Sequence, residues 1–215
     1  MTRATPAAAR ALPVLQADRR RLLALLGGAP LAGLGALGPV RSARAQPVSA
    51  SGTAEAGAPW PELAGAWPQS ARRLSQARFR WLGLAIYDIE LWAPQPVAAE
   101  AALRQPLALA LRYQRALSGV RIAERSLDEM ARGGPMPPEL TARWRQALVR
   151  ALPDVAEGDR LTGLHLPGQG ARFWHNGRPT ADWPDAEGAA RFFGIWLAPH
   201  TSAPELRRQL LGAGA

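Results

Sequence analysis

Two side chains on one predicted strand have the chemistry to hold an anion. Tyr113 and Arg115 lie two residues apart near the end of the segment 107–115, and residues two apart in a strand share a face. The same face carries Leu107, Leu109 and Leu111. An arginine among apolar neighbours is costly to bury unless its guanidinium meets an anion. The pair therefore predicts an ion contact on this strand.

Two kinds of anion fit that contact. The first is a structural carboxylate, for which Asp88 and Glu90 in the preceding predicted strand are the candidates. The second is the carboxylate or enolate of a ligand held against an apolar wall. Spacing alone favours the structural partner and leaves the ligand as the alternative.

Other reaction classes find little support in the sequence. There is no cysteine, which excludes disulfides, thiolate metal sites, iron–sulfur clusters and cysteine nucleophiles. The three histidines, His165, His175 and His200, lack HxH or HExxH spacing, and no nucleophile elbow is present. We therefore predict no metal site and no cofactor.

The elements that must position these residues alternate between strands and helices. The segment 77–92 predicts one bent strand or two short strands around Gly83, followed by a short helix over 97–104 and the strand 107–115. Two helices follow, one capped by Ser118 and ending at Gly133, the other opening after Pro137.

The C-terminal third predicts a β-meander and two more helices. Strands over 161–166, 171–175 and 178–181 are separated by a Pro-Gly-Gln-Gly turn and by Asn176-Gly177, a strong hairpin signal. Asp185 is expected to cap one helix, and a Ser202-x-x-Glu205 capping box another. The order predicts an α+β fold, a mainly antiparallel sheet with a layer of helices on one face.

The N-terminus has the three parts of a cleavable export signal. Arg19-Arg20-Arg21 precedes an uncharged stretch over 22–40, and Ala43-Arg44-Ala45 follows. The arginine pair resembles the twin-arginine (Tat) consensus. We expect a signal peptide over 1–45, cleavage after Ala45, recognition by the Tat translocon and a periplasmic location. An uncleaved membrane anchor is the alternative. A flexible lead-in is expected over 46–61, and one domain over 62–215.

The charge distribution argues against nucleic-acid binding. The chain carries a net charge of +9, but seven arginines and one aspartate lie within residues 1–45 and account for six of those charges. The remaining arginines are scattered among 16 carboxylates without a basic block. No nucleic-acid partner, and no membrane span after cleavage, is expected.

Several runs together resemble the bacterial chalcone isomerase-like proteins over about residues 62 to 212. The runs are 77–92 with its Ile86-Tyr87, LALALRYQR at 107–115, GDRL at 158–161, FWHNG at 173–177 and FFGIWL at 192–197. The resemblance implies an open-faced β-sandwich, a large antiparallel sheet with helices on one side and a ligand cleft between them.

The resemblance also implies two activities. Plant chalcone isomerases close a chalcone to a flavanone, with a first-strand arginine steadying the anion and a Thr/Tyr pair polarising the ketone. Plant relatives of the same fold bind fatty acids, with an arginine and a tyrosine gripping the carboxylate. Carried onto this chain, the arginine falls at Arg80, or at Arg78 if the register slips by one. Tyr113 and Arg115 match the polar pair of the second strand.

The isomerase pattern is incomplete, because the segment 85–89 after Arg80 contains no threonine. The leading hypothesis is therefore a binder of a small apolar anion such as a fatty acid, with Arg80, Tyr113, Arg115 and Tyr87 at the site. An intramolecular lyase or isomerase acting on an enone, with Arg80 and Tyr113 as catalytic residues, is the second hypothesis. A ligand-free adaptor that docks through exposed Trp60 and Trp67 is the third.

Overall fold

The computed structural model describes residues 60–67 and 71–212. The expected signal peptide over 1–45, the cleavage site after Ala45 and the lead-in up to residue 59 lie outside the described residues. The first regular element among the described residues is a short helix that begins at Pro61. Among the described residues, no helix has the length and apolar content needed to cross a bilayer.

A single antiparallel sheet of six strands organises the described residues. Its strands follow chain order from one edge to the other, and every neighbouring pair is antiparallel. They are β1 (Arg72–Trp81), β2 (Leu84–Ala93), β3 (Leu107–Tyr113), β4 (Arg160–Leu166), β5 (Gly170–His175) and β6 (Arg178–Trp183). The predicted α+β, open-faced sandwich is confirmed.

Helices form a layer on one face of this sheet. They are α2 (Gly119–Met130), α3 (Pro138–Ala151), α4 (Ala186–Leu197) and α5 (Pro204–Leu211), with 3-10 turns at Ala102–Arg104 and Ala131–Gly133. Gly163 on β4 shows how closely they pack, because a Cβ there would lie 3.1 Å from the ring of Phe193 on α4. The side chains between sheet and helices form the main core.

The short helix α1 (Pro61–Ala66) covers part of the opposite face. Thr162 precedes Gly163 on β4 and therefore points away from the helical layer. Its hydroxyl donates a hydrogen bond of 2.8 Å to the Glu62 carboxylate of α1, and Arg160 on the same face donates to Glu62 at 2.9 Å. This contact ties the beginning of the described chain to the middle of the sheet.

Two tryptophans near α1 correct the adaptor hypothesis. Trp60 and Trp67 are buried, with 7% and 8% of their surface exposed. The Trp60 indole N–H donates to Glu90 at 3.0 Å, and the Arg160 guanidinium stacks on its ring. Both side chains stabilise the fold and are not the exposed docking patch that the adaptor hypothesis required.

Several local predictions were wrong because a tertiary contact replaced a local one. Only the 3-10 turn Ala102–Arg104 forms where a helix over 97–104 was expected. Ser118 precedes α2, but the Asp154 carboxylate accepts the first N–H, from Gly119, at 2.8 Å. The Ser202-x-x-Glu205 capping box does not form, since α5 begins at Pro204 and Glu205 pairs with Arg208.

Candidate functional site

The sheet brings two of the predicted site residues together. Tyr87 on β2 and Tyr113 on β3 are direct cross-strand partners, and their rings meet edge to face with centroids 5.8 Å apart. Phe79 on β1 is the partner of Tyr87 on its other side and stacks on it at 5.1 Å. These three rings lie at the end of the sheet next to the β1–β2 turn. We call Tyr87, Tyr113 and the neighbouring side chains Arg125, Glu129 and Trp196 the tyrosine cluster.

The two phenols lie in a desolvated setting. Burial raises the pKa of Tyr87 and of Tyr113 above the ordinary tyrosine value, and the neighbouring phenol adds to the increase for Tyr113. Some of the Tyr87 ring reaches solvent, whereas only 3% of Tyr113 is exposed. Both hydroxyls therefore stay protonated and act as hydrogen-bond donors across the physiological pH range.

Both hydroxyl protons lack an acceptor within the described part of the chain. Trp196 of α4 donates its indole N–H to the Tyr87 oxygen at 3.0 Å, which uses an acceptor site of Tyr87 and leaves its proton free. The Tyr113 hydroxyl has no hydrogen bond to any described residue. Two neighbouring hydroxyls can therefore donate to water or to an acceptor that a ligand supplies.

A buried carboxylate completes the tyrosine cluster. Glu129 on α2 is 7% exposed, and its charge contributes to raising the pKa of Tyr87. Arg125 donates to its Oε1 atom, while Oε2 is buried without a hydrogen bond and lies 3.7 Å from Arg132 Nε. Two guanidinium groups thus face one carboxylate, and this side of the cluster has one excess positive charge.

The sequence did not identify Glu129, Arg125 or Trp196 as site residues. A signal for Glu129 was nevertheless present, because it falls at i+7 from Ile122 and i+3 from Ser126, on the face of α2 that turns toward the sheet. A carboxylate on a helix face that is otherwise buried is rare unless it has partners. Trp196 carries no such signal, since an apolar stripe does not show which side chain donates a hydrogen bond.

The predicted arginines lie around the tyrosine cluster rather than inside it. Arg78 is on the opposite face and forms a two-pronged contact with Asp88, at 2.5 and 2.9 Å. Arg80 is exposed at the end of β1 and donates to the Gly83 carbonyl at 3.3 Å. Arg115 is half-buried just beyond β3.

The expected structural partners of Arg115 are engaged elsewhere. Asp88 binds Arg78, and Glu90 binds Arg73 at 3.0 Å as well as the indoles of Trp60 and Trp92. Within the described residues Arg115 has no ion pair. The prediction that Asp88 or Glu90 neutralises Arg115 was therefore wrong, because two arginines of β1 take these carboxylates first.

Two depressions of the described surface are candidate clefts, and neither reaches the tyrosines. One lies beside Arg143 and Asp185 and the other beside Arg104 and Arg207. Access to the cluster runs past Phe79 and Tyr87, whose rings are only partly covered. A guest must therefore displace side chains at this end of the helical layer.

The histidines do not form a site together. His165 pairs with Ala171 and His175 with Leu161, so the two imidazoles lie at opposite ends of the β4–β5 hairpin. His165 contacts the Leu103 carbonyl at 3.0 Å, and His175 lies 3.2 Å from Asp159. Burial lowers the pKa of His165, although the Leu103 contact opposes the shift.

Comparison with known proteins agrees with this architecture. The family described as chalcone isomerase-like matches residues 82–212. A fatty-acid binding protein of Arabidopsis thaliana has a similar structure, with a TM-score of 0.52 and 12% identity, over 67% of this chain and 88% of that one. An uncharacterised protein of Haemophilus influenzae is 27% identical over 139 residues, which are 65% of this chain and 67% of the relative. The plant structure, at this identity, supports the fold alone.

Proposed function

This chain belongs to the chalcone isomerase-like family, and we propose that it binds a small apolar molecule with an anionic head, such as a fatty acid. The head occupies the tyrosine cluster, where the hydroxyls of Tyr87 and Tyr113 donate to it. The observation that carries the proposal is the pair of neighbouring phenols, Tyr87 and Tyr113, whose hydroxyl protons have no acceptor within the described residues.

The charges around the cluster suit a guest with one negative charge. Arg125 and Arg132 together exceed Glu129 by one positive charge. A carboxylate between the tyrosines and these arginines would balance it and would accept both free phenolic protons. If the carboxyl group of the ligand were protonated, it would instead donate a hydrogen bond to Oε2 of Glu129, which has no hydrogen bond.

The outer arginines have a supporting role in this proposal. Arg115 follows Tyr113 by two residues, and Arg80 lies at the end of the same hairpin that carries Tyr87. Their charges attract an anion toward the partly covered rings of Phe79 and Tyr87, where the apolar tail enters. We therefore retain Arg80 and Arg115 as ligand-binding candidates, outside the cluster of hydroxyls that selects the head.

Tyr113→Phe is the sharpest test, because it removes one hydroxyl that supports nothing else in the described fold. Native mass spectrometry and lipid extraction of the purified protein should reveal a bound acid. Displacement of a fluorescent fatty acid should show at least about tenfold weaker binding in Tyr113→Phe, the value of one hydrogen bond to a charged group. Equal affinity in Tyr113→Phe and the parent would contradict the proposal.

Two arginine variants test whether the charge of Arg115 contributes to ligand binding. Arg115→Ala should weaken fatty-acid binding several-fold, and the effect should shrink as salt is added. Arg172→Ala removes an equally charged side chain on β5, which is exposed and faces Asp182 at 3.9 Å, and should have no effect. Equal losses in both variants would show that only overall charge matters.

The same two donors also favour an enone isomerase as the second candidate. Phenolic hydroxyls that grip a carboxylate would equally stabilise a developing enolate. In that case an enone substrate turns over faster than in buffer, and Arg80→Ala abolishes the difference. Turnover at the buffer rate would eliminate this candidate.

We further propose that the protein is exported by the Tat system to the periplasm. The support is the Arg19-Arg20 pair, the uncharged stretch over 22–40 and the Ala43-Arg44-Ala45 site. Cell fractionation should recover a periplasmic form that begins at Gln46, and replacing Arg19 and Arg20 by lysine should retain the protein in the cytoplasm. A periplasmic product in the double variant would contradict a Tat route.

A further inference from the structure

The turn between β1 and β2 presents apolar side chains to solvent. It has two residues, Leu82 and Gly83, between the paired Trp81 and Leu84. Leu82 is 86% exposed, Leu84 48% and Trp81 40%. We call Trp81, Leu82 and Leu84 the apolar tip. These three are among the four large hydrophobic side chains exposed in the described part of the chain, and they lie within four consecutive positions.

The fold gives no reason for a leucine at the tip. Leu82 has a φ of 48° and Gly83 a φ of 82°, the positive values that a tight two-residue hairpin requires. Asparagine, aspartate and glycine adopt this conformation readily, whereas leucine does so at a cost. Its side chain is almost wholly exposed and so recovers little of that cost by packing. An unfavourable conformation and an exposed apolar group at one position indicate a contact made outside the domain.

Two arginines without an ion pair among the described residues flank the tip. Arg80 immediately precedes it and contacts only the Gly83 carbonyl. Arg115 lies at the same end of the sheet, because the N–H of the preceding Gln114 donates to the Ile86 carbonyl at 2.9 Å. The two acidic side chains of β2, Asp88 and Glu90, are already paired with arginines of β1. The apolar tip is therefore flanked by Arg80 and Arg115, and exposed Glu157 lies farther along, on the segment that pairs with residues 113–117.

We infer that the apolar tip inserts into the interface of a membrane that contains anionic lipid. Leu82 and Leu84 enter the upper acyl region, Trp81 lies at the level of the head groups, and Arg80 and Arg115 contact lipid phosphates. A membrane fits better than a protein partner because the tip is a narrow protrusion. Three side chains on one turn cannot cover the roughly 1,000 Å² of a stable protein interface. The lipids of a bilayer, in contrast, rearrange around a small inserted group.

This inference does not depend on the proposed ligand. Insertion uses the apolar side chains of the outer turn, whereas the anionic head of the ligand is bound by the Tyr87 and Tyr113 hydroxyls beneath the helical layer. Arg80 and Arg115 are the only side chains that the two proposals share. Binding to empty vesicles can therefore fail while the fatty-acid proposal stands, and the reverse also holds.

The absence of cysteine from the chain allows a direct test at the tip. A polarity-sensitive dye is attached to Leu82→Cys and, as a control, to Gln169→Cys in the exposed β4–β5 turn at the other end of the sheet. On adding vesicles of phosphatidylcholine with phosphatidylglycerol, emission from position 82 should shift to the blue and emission from position 169 should stay unchanged. Vesicles of phosphatidylcholine alone should give a much smaller shift, because Arg80 and Arg115 lose their counterparts.

Leu82→Asn tests the same point in the absence of a dye. Asparagine suits the positive φ of this position, so weaker binding cannot be attributed to a damaged turn. Leu82→Asn is compared with the unsubstituted protein, both having the same N-terminus. Co-sedimentation with the anionic vesicles should show at least about tenfold weaker partitioning of Leu82→Asn, because burial of one leucine side chain in lipid contributes that difference in affinity. No blue shift at position 82, equal partitioning of Leu82→Asn, or self-association through the tip without vesicle binding would overturn the inference.

Discussion

Two hairpin turns of the same sheet have similar backbone φ angles, but one carries an apolar side chain and the other a polar one. The β1–β2 turn is Leu82-Gly83 and the β5–β6 turn is Asn176-Gly177, and each has two residues with positive φ. Asn176 has a φ of 50°, within a few degrees of the 48° at Leu82. The backbone requirement is therefore equal at the two turns, and the difference lies in what each side chain contacts.

The β5–β6 turn is explained by the fold. The Asn176 side chain accepts a hydrogen bond from the Arg160 N–H at 2.8 Å and donates one to Asp159 at 2.8 Å. Arg160 in turn binds the buried Glu62 of α1. The turn is one end of a polar network that reaches the opposite face of the sheet. Leu82 makes no comparable contact and is 86% exposed, which is the basis of the membrane contact inferred above.

The largest expected effect lies in the network behind the β5–β6 turn. Glu62→Ala should lower the free energy of unfolding by about 3–5 kcal/mol, because it leaves the Arg160 guanidinium and the Thr162 hydroxyl without their acceptor. Chemical denaturation measures the change. Glu124→Ala, which removes an exposed ion pair with Arg145, is the control and should cost less than about 1 kcal/mol. Equal costs would mean that the network does not anchor the turn.

Exchanging the residue types of the two turns should give effects of opposite sign. Asn176→Leu should destabilise the protein by about 2–3 kcal/mol, from two lost hydrogen bonds and an unfavourable φ. Leu82→Asn should instead stabilise it by about 0.5–1 kcal/mol, because only the conformational term changes. Thermal unfolding of both variants checks the pair. Destabilisation by Leu82→Asn would show that Leu82 has a structural role after all.

The protein should lose stability at alkaline pH through the two tyrosines beneath the apolar tip. Tyr87 and Tyr113 are the only two tyrosines of the chain, so phenolate absorbance reports on the tyrosine cluster alone. Burial raises the pKa of both, so the unfolded chain loses these protons first, and stability falls as the pH rises above about 10. Phenolate should appear together with the loss of circular dichroism. Ionisation in the folded state would contradict the burial of these hydroxyls.

The β5–β6 turn should show a smaller effect at acid pH. Partial burial alone would raise the pKa of Asp159, but hydrogen bonds from Ala156, Asn176 and His175 outweigh it and lower the pKa. The stability due to this carboxylate is present above about pH 4 and is lost as the pH falls through the lowered value. Urea unfolding at several pH values should show a shallower acid loss in Asp159→Asn. An unchanged acid loss would assign it to other carboxylates.

The sequence predictions were accurate where the structure depends on residues close together in the chain and wrong where it depends on distant residues. Asn176-Gly177 and the Asp185 cap were predicted correctly, since a turn and a cap are decided within a few residues; Asp185 does accept the Gly188 N–H at 2.8 Å. The expected cap at Ser118 was replaced by Asp154, which is far away in the chain. The hairpin at Gly83 was left open between one strand and two, because Leu82 gives no turn signal.

The sequence by itself indicated the fold class and most of the strands and helices, because hydrophobic period and turn chemistry are local properties of the chain. The assignment of Tyr87 and Tyr113 to a site stays a prediction. Only the tertiary structure decided which charges meet. Arg78 and Arg73 take Asp88 and Glu90, Arg115 is left without them, and Glu129 lies under the helical layer near Tyr87. Ion pairs depend on strand register and helix packing, and a single sequence does not specify either.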